Sequence, residues 1–116
     1  MNFTPLHRAL GLPPCPLTDE ILSDAVTSGV TETDGLDWKS ELAPIKGLSQ
    51  TDVPKDIAAM ANSGGGMIVY GVEEHGKAAT GRSDAGEFTE GHERAYRSVA
   101  VTAISPPVFG LEVHRL

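Results

Sequence analysis

Apolar residues recur at helical spacing in two short segments at the start of the chain. Thr4 followed by proline is typical of a helix start, with threonine as the N-cap, and Gly11 is typical of the end of that helix. Thr18 predicts a second helix start, and the apolar stripe after it stops at Gly29. Residues 1–30 therefore predict a helical N-terminal arm.

Strict alternation of apolar and charged residues then predicts a strand between residues 36 and 42. One face carries Leu36, Trp38 and Leu42, and the other carries Asp37, Lys39 and Glu41. The charged face is the first candidate for a catalytic or metal-binding site.

The next segment joins a helix, a glycine run and an apolar strand. Residues 52–62 predict a helix, and Ser63 with the three glycines after it ends that helix. The buried stripe of this helix is expected at Val53, Ile57, Met60 and Ala61. Residues 67–72 are apolar on both sides, which predicts a central strand covered on both faces. A hairpin turn near residue 76 leads to a short strand over residues 77–80.

The last third of the chain predicts a polar loop, a helix over residues 88–104 that Pro106-Pro107 ends, and a strand over residues 108–116. The whole order predicts an α+β fold, a small mixed β-sheet with two packing helices, preceded by the arm. We expect one domain over residues 31–116. Its last strand reaches the final residue without a turn, so we expect the domain to be cut short there or completed by a partner.

The chain is acidic, with sixteen Asp and Glu residues against nine Lys and Arg residues and a net charge of −7. This balance excludes a domain that holds nucleic acid by a general positive surface, which needs clustered basic residues. Any such contact must come from a local basic patch, from backbone amides or from a bridging metal. Cys15 is the only cysteine, so we expect a cytoplasmic protein. No apolar run reaches the ~20 residues that span a bilayer.

The glycine run Gly64-Gly65-Gly66 has two interpretations. It is not a phosphate loop, because no lysine and hydroxyl residue follow it, and it is not a dinucleotide fingerprint, because it follows a helix. ATP binding is therefore not supported. The glycines either cap the helix and allow close packing, or form a turn whose amides approach a ligand.

Carboxylates near the strands are candidates for a metal-dependent site. Asp37 and Lys39 share a strand face, and Glu32 reaches it if the chain bends between them. Glu73 and Glu74 are adjacent and point to opposite faces, so one of them joins Asp37 if the two strands are neighbours. Such a group can hold Mg²⁺ or Mn²⁺ against a phosphodiester while the lysine stabilises phosphoryl charge. The alternative is a solvated strand face with an ordinary Asp–Lys pair.

Three stretches are distinctive beyond their periodicity. They are T-E-T-D-G-L-D-W-K-S-E, then D-V-P-K-D-I-A-A-M-A-N-S-G-G-G-M-I-V-Y-G-V-E-E-H-G-K-A-A-T-G, and finally I-S-P-P. Together they resemble the Schlafen AlbA-like domain, a DNA-binding domain of many bacterial regulators and of Schlafen proteins. The match covers about Glu32 to Pro107.

The resemblance implies an α+β fold related to the Alba nucleic-acid-binding proteins, and domains that work in pairs as homodimers or internal duplicates. In ribonuclease members of the Schlafen group, three acidic residues form a metal-dependent RNA-cutting site. Carried over by motif, they fall on Glu32, Asp37 and one of Glu73 or Glu74.

Three hypotheses follow from the residues and the resemblance together. The first is a non-catalytic nucleic-acid-binding domain of a bacterial regulatory protein, homodimeric and without a cofactor. Its expected contacts are Lys39, Gly64, Gly65, Gly66, Lys77 and Arg82.

The second hypothesis is a metal-dependent endoribonuclease. Its expected Mg²⁺ or Mn²⁺ ligands are Glu32, Asp37 and Glu74, with Lys39 and Glu73 as further catalytic candidates. The third is a protein-interaction module whose acidic face mimics or avoids nucleic acid.

Overall fold

The computed structural model describes residues 3–105, 108 and 110–116. Over these residues the chain forms four α-helices and four strands. In order they are α1 (Pro5–Leu10), α2 (Asp19–Thr27), β1 (Leu36–Lys39), α3 (Val53–Asn62), β2 (Met67–Tyr70), β3 (Val72–His75), β4 (Ala78–Arg82) and α4 (Glu90–Thr102), with a short 3₁₀ helix at Leu48–Gln50. The predicted α+β class is confirmed.

The strands form two pairs, one parallel and one antiparallel. β1 and β2 are parallel, with Leu36 opposite Met67, and helix α3 makes the crossover between them. β3 and β4 form an antiparallel hairpin. Its turn residues Gly76 and Lys77 have φ of 57° and 72°, as a type I′ turn requires.

The predicted single strand over residues 67–72 is divided at Gly71. This residue has φ of 90°, where an L side chain is strained, and its amide donates to Lys39 O at 2.8 Å. Its carbonyl accepts from Ser83 at 2.9 Å. The chain therefore leaves the parallel pair at Gly71 and enters the hairpin.

The predicted helical arm is confirmed, and it packs against one face of the parallel pair. Thr4 and Thr18 cap α1 and α2 as predicted, and Gly11 ends α1 in the left-handed conformation. The buried cluster on this face contains Leu6, Ile21, Leu22, Ala25, Leu36, Trp38 and Val69. The arm thus supplies a large part of the first core.

The opposite face of β2 packs against α3 and α4. A second cluster contains Leu48, Val53, Ile57, Tyr96, Val99 and Ala100, with Ile68 and Tyr70 of β2 against it. Because Val69 and Met67 contact the first cluster, β2 is covered on both faces as predicted. The prediction for α3 is wrong at Ala61, which is exposed beside the glycine turn.

The predicted final strand is wrong for residues 108 and 110–116, none of which lies in a strand. The reason is that α4 supplies their partners. The Val108 amide donates to Ala100 O at 2.9 Å, Arg97 donates to Leu111 O, and Arg115 pairs with a carboxylate of α4. Pro106 and Pro107, predicted to end α4, lie outside the described residues. In the described part of the chain, no helix has both the length and the apolarity needed to cross a membrane.

Candidate functional site

A cleft of about 360 Å³ lies between the N-terminal end of β1, helix α3 and the β3–β4 turn. We call it the acidic cleft. Its lining includes Glu32, Asp34, Asp37, Asp56, Ser63 and Lys77. The hairpin is held to this place by its backbone, because the Glu32 amide donates to Lys77 O at 2.8 Å. Four carboxylates and one ammonium group therefore share one opening.

A tight turn brings Glu32 to Asp37. Thr33 and Leu36 exchange backbone hydrogen bonds of 3.0 and 3.2 Å, so Gly35 lies in the bend that the sequence requires. The Glu32 carboxylate accepts a 2.9 Å hydrogen bond from the Trp38 amide on the outer edge of β1. It thereby lies beside the Asp37 side chain.

The contact between these two carboxyl groups raises the pKa of Glu32. The pKa of Glu32 is raised by its hydrogen bond with Asp37, by burial, and by the charges of Asp37 and Glu74, although the Trp38 amide opposes this rise. Two carboxylates in contact need a proton or a cation to relieve their repulsion. The cleft is therefore a place where a cationic or hydrogen-bond-donating group is favoured.

Lys39 supplies the nearest positive charge. Its Nζ lies 3.4 Å from Asp37 Oδ2 and 3.4 Å from Asp56 Oδ2, and thus links β1 to α3. Burial alone would lower the pKa of Lys39, but the two aspartate charges outweigh burial and raise it. Lys39 is therefore a fully charged group that already has two anionic partners.

Sequence reasoning missed Asp56. A signal was present, because Asp56 follows Val53 by three residues and precedes Met60 by four, which places it on the predicted apolar stripe of α3. An acidic residue inside a buried stripe needs a partner. Lys39 is that partner.

The two adjacent glutamates of β3 occupy different surroundings. Glu74 accepts a 2.7 Å hydrogen bond from the Lys77 amide, and its charge contributes to the raised pKa of Glu32. The Glu73 carboxylate instead lies close to Gly81 on the neighbouring strand. Of the two, Glu74 is the one that faces Glu32.

Glu32, Asp37 and Glu74 each have other partners. Within residues 3–105, 108 and 110–116, no group of three or more His, Cys, Asp or Glu side chains is placed to hold a metal ion. Asp37 has the Lys39 ammonium group beside it, and Glu74 accepts a hydrogen bond from its own turn. The residues implied by the resemblance are near one another but do not converge on one point.

The glycine turn caps α3 and packs tightly against β1. Gly64 and Gly65 have φ of 87° and 102°, and their amides donate to Ala61 O and Met60 O. A Cβ atom at Gly66 would lie 2.8 Å from Gly35 O, so only glycine fits there. Both structural roles are therefore present, and the exposed faces of Gly64 and Gly65 remain open beside the cleft.

The basic candidates divide into two groups. Lys77 is exposed at the hairpin tip and lines the acidic cleft, and it forms no ion pair with any described residue. Arg82 lies elsewhere, because its guanidinium donates to Asp19 Oδ1 at 2.7 Å and to Ser23 Oγ at 3.2 Å on α2. Of the predicted contact residues, Lys77 lines the cleft, and Lys39 is paired with Asp37 and Asp56 of its lining. Gly64 follows Ser63 of the lining, whereas Gly65, Gly66 and Arg82 line a different cavity.

Comparison with known proteins gives one match. A family model described as Schlafen, AlbA_2 matches residues 32–115, which is more than half of the chain. The matched region starts at Glu32 and includes every residue named above as lining the acidic cleft. No curated protein and no solved structure matches this chain.

Proposed function

This chain belongs to the Schlafen, AlbA_2 family, and from that premise we propose that it is a non-catalytic nucleic-acid-binding domain of a bacterial regulatory protein. The family supports a nucleic-acid-related function. To this family-level function the proposal adds that nucleic acid contacts the rim of the acidic cleft and that the domain does not cleave it.

One observation carries this proposal. Lys77 at the hairpin tip and Ser63 at the start of the glycine turn line the same opening, although they are distant in the sequence. A phosphate at the rim would meet the Lys77 ammonium group on one side and the exposed Gly64 and Gly65 on the other. Carboxylates deeper in the cleft would accept hydrogen bonds from a base amino group or a ribose hydroxyl. The acidic interior thus disfavours phosphate inside the cleft, whereas the rim stays open to it.

Binding to labelled oligonucleotides tests the proposal. We expect DNA or RNA 20-mers to bind the full chain in EDTA, with an affinity that falls as salt rises. Lys77→Ala should weaken binding and reduce the salt slope by about 0.7 for a single strand. Lys46→Ala is the matched control, because Lys46 is also exposed but does not line the cleft. Equal effects of the two variants would contradict the proposed rim.

A metal-dependent endoribonuclease is the second candidate, and one observation favours it. Asp37 and Glu74 both raise the pKa of Glu32, Asp37 the more strongly, so the three implied carboxylates are neighbours. Cleavage of labelled transfer RNA that requires Mg²⁺ or Mn²⁺, and that Asp37→Asn abolishes in a folded protein, would establish it. Intact RNA under these conditions would exclude it.

The proposal also includes a homodimer, which the resemblance implies, and a cytoplasmic location, which the single cysteine favours. Sedimentation analysis of the full chain, with and without oligonucleotide, tests the dimer.

A further inference from the structure

Lys39 is proposed as a nucleic-acid contact, yet two aspartates already hold it. Its Nζ is 3.4 Å from a carboxylate oxygen of Asp37 and equally far from one of Asp56. The side chains of Lys39, Asp37 and Asp56 are 35%, 22% and 21% exposed, so the group is partly shielded from solvent. A phosphate can reach the ammonium group only in competition with both carboxylates.

We propose that Asp56 sets the affinity of the cleft by holding Lys39 in an internal ion pair, so that the lysine contacts nucleic acid only when this pair opens. The inference rests on the proposed function and assigns a regulatory role to a residue outside the predicted site. Asp56 acts through Lys39 and is therefore a positioning residue.

Asp56 is distinguished from Asp37 by its origin. Asp37 lies two residues before Lys39 on the same strand face, so their contact is a local consequence of strand geometry. Asp56 comes from α3, and the burial of Val53 and Ile57 fixes that helix against the second core. The Lys39–Asp56 pair is therefore a tertiary contact between the two walls of the cleft.

Two effects make Asp56 oppose binding. Its carboxylate competes with phosphate for the same ammonium group, and it repels phosphate at the rim because it lines the cleft. Replacing the carboxylate by an amide removes both effects with little change in shape. Partly exposed ion pairs are weak, so we expect an affinity gain of about two- to fivefold.

A double-mutant cycle measures the competition separately from the general charge effect. The first variant is Asp56→Asn, and its matched control is Asp34→Asn, which removes a charge from the same cleft but forms no ion pair with a described residue. The second position is Lys39→Met, tested alone and with Asp56→Asn. Circular dichroism confirms that each variant keeps its fold.

We expect Asp56→Asn to tighten oligonucleotide binding about two- to fivefold and to raise the salt slope by about 0.7, since one more lysine then contacts phosphate. Asp34→Asn should give a smaller gain without the added slope. In the Lys39→Met background, Asp56→Asn should give no more than the Asp34→Asn gain.

Four results would overturn the inference. Equal gains from Asp56→Asn and Asp34→Asn would mean that only net charge matters. A gain that persists in the Lys39→Met background would show that Asp56 does not act through Lys39. If neither the wild type nor any variant binds oligonucleotide, the proposed function and the inference both fail. If all of them bind but Asp56→Asn shows no gain of its own, only the inference fails.

Discussion

The N-terminal arm and the acidic cleft accommodate polar groups in opposite ways. In the arm, His7 is 0% exposed and both ring nitrogens have partners. The Thr4 amide donates to Nδ1 at 2.9 Å, and Nε2 donates to Cys15 O at 2.8 Å. In the cleft, two carboxyl groups, Glu32 and Asp37, are in contact and only partly buried.

The difference separates groups that hold the fold from groups that are available to a ligand. Both ring nitrogens of His7 have partners inside the protein, so these hydrogen bonds stabilise the arm. In the cleft, by contrast, Glu32 and Asp37 repel each other, and Lys39 forms ion pairs with both Asp37 and Asp56. Local conflicts of this kind are expected at functional sites, where stability is exchanged for binding.

The largest effect is expected at His7. His7→Ala leaves a cavity and removes the partners of the Thr4 amide and Cys15 O, which should cost about 2–4 kcal/mol of unfolding free energy in urea. His92→Ala is a matched control, because the same Thr-x-x-His capping box begins α4 at an exposed site. It should cost about 0.5–1 kcal/mol. Equal losses of stability would contradict the claim that burial makes the capping box of α1 more stabilising than that of α4.

A smaller loss of stability is expected at the corner between the two regions. Gly66→Ala places a Cβ atom 2.8 Å from Gly35 O and 2.6 Å from Met60 Sδ, so β1 and α3 must separate. We expect a cost of about 1–3 kcal/mol in chemical unfolding. Gly81→Ala is the control, since its nearest neighbour is the Glu73 side chain at 3.9 Å and its effect should be within about 0.5 kcal/mol. A neutral Gly66→Ala would show that this corner is loosely packed.

The smallest effect concerns the pH dependence of the cleft. Because the folded protein raises the pKa of Glu32 above 4.5, folding takes up a proton, and the associated stability is complete below pH 4.5 and is lost as pH rises through the folded pKa. Glu32→Gln should match the wild type in acid and exceed its stability near neutral pH by less than about 1 kcal/mol. In the Asp37→Asn background this difference should shrink, because Asp37 is its main cause. If the stability difference between Glu32→Gln and the wild type does not change with pH, Glu32 and Asp37 do not repel each other in the folded protein.

The arm was predictable from sequence because its signals are local. Caps at Thr4 and Thr18 act within one turn, and they give the helix starts without knowledge of the core. The division of the central strand at Gly71 was missed, because a glycine within an apolar run does not by itself reveal a change of sheet. The last strand was predicted wrongly because alternation cannot tell whether α4 or a sheet supplies the backbone partners.

The cleft depends on contacts between distant parts of the chain, so sequence identified only some of its members. The motif pointed to Glu32 and Asp37 but could not choose between Glu73 and Glu74; in the structure it is the charge of Glu74 that contributes to the raised pKa of Glu32. Asp56 was missed, because its role depends on how α3 packs beside β1.

Chemical-shift mapping with ¹⁵N-labelled protein tests the central claim most directly. Titration with a single-stranded oligonucleotide in EDTA should shift the amide signals of residues 63–66 and 76–78 most strongly, since the glycine turn and the hairpin tip form the rim. The amides of α1 around His7 should not shift. Shifts centred on α4 or on Arg82, or no shifts at millimolar oligonucleotide, would contradict the assignment of the cleft as the nucleic-acid interface.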